Sequence, residues 1–67
     1  MNLIEGLQSE MNRVREIIKE YDSLPSNAGA VASGMMKFSI KNAENLIAIG
    51  DTIGMMKALN DLKQYEL

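Results

Sequence analysis

The sequence predicts an all-α protein, a long N-terminal helix followed by a tight helical hairpin, with its core completed by homo-oligomerisation. Three observations predict it. Apolar residues recur at helical spacing along the chain, and no strand-type alternation competes with them. Breaks at Pro25 and at Gly50-Asp51 divide the chain into three segments. The chain has 67 residues, 46% of them apolar, with no Cys and no His. A domain this small usually needs disulfides, a metal, very regular helix packing or a partner. The missing residue types leave helix packing and self-association.

The first helix is expected over about residues 2–22. Ile4, Leu7, Met11, Val14, Ile18 and Tyr21 recur at spacings of 3, 4, 3, 4 and 3, a heptad seam widened by Leu3 and Ile17. Glu5, Glu10, Asn12, Arg13, Glu16 and Glu20 occupy the other face. Glu10–Arg13 and Glu16–Lys19 sit at helical pairing distance. Pro25 ends this helix, because proline disfavours helix in the residue before it and cannot extend the ladder.

The second helix is expected over about residues 26–49, capped by Ser26 or Ser23. Its stripe runs Ala28, Ala32, Met36, Ile40, Ala43, Ile47 and Gly50, flanked by Val31, Met35, Leu46 and Ile49. Gly29 and Gly34 weaken its first turns, and Gly50 is a natural left-handed terminator. The third helix is expected over about residues 52–65, with Asp51 as its cap. Ile53, Met56, Leu59 and Leu62 are expected to face inward, with Met55 and Ala58 beside them. The short Gly50-Asp51 link makes helices 2 and 3 an antiparallel hairpin. Gly34-Met35-Met36-Lys37 and Gly54-Met55-Met56-Lys57 are identical, but the match does not extend outward and reads as coincidence.

Composition excludes several function classes. Seven basic against nine acidic residues give a net charge of -2, without the basic field that releases counterions from nucleic acid. No apolar run is long enough to span a membrane, and Met1 to Glu10 lacks the apolar region of a signal peptide. The default is a soluble cytoplasmic protein. No His or Cys is available as base, nucleophile or soft metal ligand, so an enzyme is not expected, nor a cofactor or metal site. Glu16 and Glu20 share a helix face, but a di-metal bundle site also requires histidines.

Two features point to binding. Six methionines include the two Met-Met pairs, and adjacent helical residues point about 100° apart, so one of each pair widens the core or reaches a second subunit. Leu7, Met11, Val14, Ile18, Met35 and Met55 are the expected oligomer interface. The small-residue stretch from Leu24 to Gly34 either packs helices closely or exposes backbone donors to an anion. In the second case Ser26, Asn27 and Gly29 would supply backbone donors, Tyr21 a stacking ring, and Lys37 with Arg15 the compensating charge. No nucleotide-binding fingerprint is present.

Gly50, Asp51, Met55, Ala58, Leu62 and Lys63 follow the pattern Gly-Asp-x-x-x-Met-x-x-Ala-x-x-x-Leu-Lys, preceded by Ile47 where an alanine is expected. With the charged first helix and the Pro/Gly/Ala segment, this resembles small, mostly uncharacterised helical proteins of tailed phages and prophages. The resemblance implies a protein that counters host defence by binding, through blocking a host protein or sequestering a nucleotide signal. The leading expectation is thus a non-enzymatic, phage-type binding protein that inhibits or sequesters a host defence component. A structural or assembly adaptor is the alternative, and a helical DNA-binding regulator comes third.

Overall fold

The computed structural model describes residues 2–25 and 27–66. They form three helices, α1 (Leu3–Asp22), α2 (Ala30–Ile49) and α3 (Thr52–Lys63), each packed against the other two. No strand occurs among the described residues, and no helix there is long and apolar enough to cross a membrane.

α1 starts at Asn2, whose side-chain carbonyl accepts from the Glu5 amide at 2.8 Å. Its seam buries Leu7, Met11, Val14, Ile17 and Ile18 against the hairpin. The first helix thus follows its expected course from Leu7 onward, whereas Ile4, expected at the start of the seam, is exposed in the first turn. However, Leu7, Met11, Val14, Ile18 and Met55 lie in the core of a single chain rather than at an oligomer interface. Leu7 and Val14 are wholly shielded, so in this fold they have no surface to offer a second copy. Six apolar positions at heptad spacing fit two helices of the same chain as well as a neighbouring copy.

α2 begins at Ala30, four residues later than expected. Ser23 does not cap it, and Ser26 lies outside the described residues; Gly29 holds the cap position without a side-chain hydrogen bond. The reason is the corner. An added Cβ on Gly29 would lie 2.5 Å from the Tyr21 carbonyl oxygen, so the chain crosses the end of α1 at near backbone contact. Asn27 to Gly29 form the turn, with Ala30 donating to the Asn27 carbonyl at 3.1 Å. Ala28, expected in the stripe, is exposed. At the other end Gly50 takes the left-handed conformation (φ 72°) and its amide donates to Ile47.

Asp51 caps α3 as expected, its carboxylate accepting from Gly54 at 2.9 Å. The phase of α3 is not the expected one. Met55, Ala58 and Leu62 are buried and Leu59 is half-buried, whereas Ile53 and Met56 are 69% and 55% exposed. Gly54 explains the rotation, because a Cβ there would meet the Leu46 side chain at 2.5 Å. Small residues at 54 and 58 lie one turn apart and let α3 approach α2 on that side. The Met-Met pairs therefore have opposite sense: Met36 and Met55 are inside, Met35 and Met56 outside.

α3 ends at Lys63, two residues before its expected end. Tyr65 leaves the helix, and its hydroxyl lies 2.8 Å from Ser39 Oγ. Arg13 closes this end, donating to the Tyr65 and Leu62 carbonyls at 2.7 and 2.9 Å. A guanidinium from α1 thus adds a charged donor to the Leu62 carbonyl, which also accepts from the Tyr65 amide at 3.2 Å, and to the Tyr65 carbonyl just beyond α3.

Candidate functional site

The six candidate ligand residues separate into groups. Tyr21 is half-buried and packs against the core, and its hydroxyl points toward the Glu66 carbonyl at 3.4 Å. Its ring is committed to packing and is not an open stacking platform. Gly29 is buried beneath the Tyr21 backbone, and Asn27 is exposed in the turn. Ser26 lies outside the described residues. The expected donor loop is therefore a close-packed corner.

The N-terminal end of α2 also has an anion already. Asp22, the last residue of α1, accepts from Ser33 Oγ at 2.6 Å and lies 3.3 Å from Lys37 Nζ. The Ser33 hydroxyl, then Lys37, hold the Asp22 carboxyl below the usual carboxylate range. A carboxylate facing the first turns of a helix is also favoured by the helix dipole. An incoming phosphate at this point would have to displace it. Sequence reading passed over Asp22 because it lies in the breaking segment Asp22-Ser23-Leu24-Pro25, where its helical partner residues cannot be read from spacing.

Arg15 and Lys37 do come together. Along the seam between α1 and α2 they line one open cavity of about 270 Å³, with Ile18 and Ile40 as its apolar floor. Each cation has one carboxylate partner: Arg15 pairs with Glu44 at 3.5 Å and Lys37 with Asp22 at 3.3 Å. All four charged side chains remain substantially exposed, so these pairs are weak, exchangeable and screened by salt. Two cationic heads over two isoleucines suit a ligand with a negative group and an apolar face. The cavity is shallow and falls just below the range of about 300–1,000 Å³ usual for ligand sites.

A second feature lies on the α3 side of α2. Val31, Met35 and Phe38 stand out from the helix, with Phe38 76% exposed. With Gly34, Asn42 and Tyr65 they line a groove of about 580 Å³. The 31, 35, 38 spacing was visible in the sequence. Val31 and Met35 were read as a flank of the core stripe and Phe38 was assigned to neither, because apolar residues alone do not show which of two adjacent stripes faces inward.

No family model, curated protein or solved structure matches this chain.

Proposed function

We propose that this chain is a non-enzymatic, phage-type binding protein that sequesters a component of host defence, and that the component is an anionic nucleotide signal. The observation that carries the reading is the shared cavity of Arg15 and Lys37 over Ile18 and Ile40. A nucleotide needs both properties at once. Phosphate is met by the guanidinium and ammonium groups, and the flat base or sugar by the isoleucine floor. Glu44 and Asp22 hold the two cations in place until a phosphate competes for them. Charge is then exchanged between partners, and no buried ion is left unpaired. The phage-type resemblance supplies the biological context, in which binding alone suffices to remove a signal.

Titration calorimetry against linear and cyclic nucleotides tests this reading. Binding is expected for at least one of them, weakening as salt rises and falling at least tenfold for Arg15→Glu and for Lys37→Glu. Both positions are exposed, so each variant should keep the wild-type helical spectrum. No heat with any nucleotide would remove the reading. The exposed apolar side chains of α2 and α3 would then favour the second one, an assembly adaptor without a small ligand.

A further inference from the structure

We infer that the outer face of the α2–α3 hairpin is the surface on which a second copy of this chain docks. Val31, Met35, Phe38 and Ile49 lie on one stripe of α2, and Asn42 and Asn45 complete its spacings of 4, 3, 4, 3 and 4. This is a second heptad seam, and no helix of the same chain covers it. The adjoining stripe of α3 adds Ile53, in line with Lys57 and with Gln64 at the edge of the same groove, which Asp61 also lines.

Area is the first argument for a second copy. The five large apolar residues, Val31, Met35, Phe38, Ile49 and Ile53, are between 58% and 77% exposed. At roughly 150–200 Å² for a fully exposed residue of this kind, they present about 600 Å². The largest apolar patch on a typical monomer is about 300–600 Å², whereas each partner in a stable interface of standard size gives up about 800 Å². Two copies face to face would therefore clear the roughly 1,000 Å² that marks a specific interface.

Chemistry is the second argument. From Val31 to Ile49 the α2 stripe carries no charged residue, and the α3 edge of the face carries one charge of each sign, Lys57 and Asp61. The face therefore calls for no partner of one net charge and can be complementary to itself. The asparagines at its middle act as the polar seam residues that fix register in paired helices. A chain of 67 residues also gains stability from the additional burial. The inference is independent of the nucleotide reading, since Arg15 and Lys37 face the other side of α2, toward α1.

Sedimentation velocity over about 1–200 µM, with circular dichroism on each sample, tests it. The wild type is expected as a dimer or a larger multiple of the 7.4 kDa chain. Phe38→Glu is expected to weaken association at least tenfold while retaining helical content, and Val31→Glu is the second variant should Phe38→Glu not fold. Asn42→Leu should associate at least as tightly as the wild type. A wild type that stays a monomer throughout, or folded Phe38→Glu and Val31→Glu proteins that assemble like the wild type, overturns the inference.

Discussion

Gly29→Ala probes the corner that positions α2 against α1. At φ -103° and ψ 2° the backbone is open to alanine, so the cost comes from space and not from dihedral strain. An ideal Cβ would sit 2.5 Å from the Tyr21 oxygen and 3.0 Å from the Tyr21 carbonyl carbon and Cβ. Relief needs a backbone shift of several tenths of an ångström, in a carbonyl that also accepts from Leu24 at 3.2 Å. Overpacking of this kind costs about 1–3 kcal/mol. Removing a glycine from the unfolded chain returns about 0.4–1 kcal/mol. The net expectation is a loss of about 1–2 kcal/mol, which in a chain of this size lowers Tm by roughly 5–15 °C. Gly34→Ala is the matched control. It lies within α2, an added Cβ there meets nothing within 4 Å, and the helix should gain about 0.5–1 kcal/mol. Thermal melts followed at 222 nm, all at one protein concentration because association shifts Tm, separate the two. A Gly29→Ala protein that melts at or above the wild type would refute the close-packed corner. It would also reopen Gly29 as a ligand contact.

Further predictions follow from the core, the end of α3 and the Asp22 corner. Leu62→Ala, at a wholly shielded position, should cost about 2–5 kcal/mol in urea unfolding, and Leu59→Ala should cost less. Equal losses would mean that the phase of α3 is misjudged. Arg13→Ala should cost about 1–2 kcal/mol, because the Leu62 and Tyr65 carbonyls lose a charged donor; an unchanged midpoint would show that water replaces it. The depressed Asp22 pKa fixes a sign. Its contribution is present above the unfolded-state value of about 4 and is lost as pH falls through the lower folded-state value. Asp22→Asn should therefore be less stable than the wild type at pH 7, and the difference should shrink progressively as the pH falls below the unfolded-state value. A difference independent of pH would assign the effect to packing.

The fold was legible where local chemistry decides it. Asp51 caps α3 and Gly50 turns left-handed because each needs only its immediate neighbours. The same holds for the seam of α1, which was read as a seam and assigned to an interface between copies, whereas the single chain already buries Leu7, Met11, Val14 and Ile18. Spacing states that a stripe is covered; it does not state by what. The phase of α3 was lost for a related reason. Of its expected 53, 56, 59, 62 stripe only Leu62 is fully buried, and Met55 and Ala58, expected beside it, share the core with it. The apolar spacing fits both phases, and the close approach of Gly54 to Leu46 of another helix accompanies the observed one. The candidate site was half legible. Arg15 and Lys37 were chosen for charge and do share a cavity. Tyr21 and Gly29 were chosen for ring and backbone, and tertiary packing uses both for the corner.

The most direct test of the central claim, that this chain is a sequestering protein, is native mass spectrometry. The protein is mixed with an equimolar panel of linear and cyclic nucleotides and sprayed from a volatile buffer. The account predicts an oligomer of the 7.4 kDa chain that carries one class of nucleotide in a fixed whole-number ratio and returns it chemically unchanged. An oligomer free of every nucleotide would contradict the sequestering function, and a converted nucleotide would contradict its non-enzymatic character.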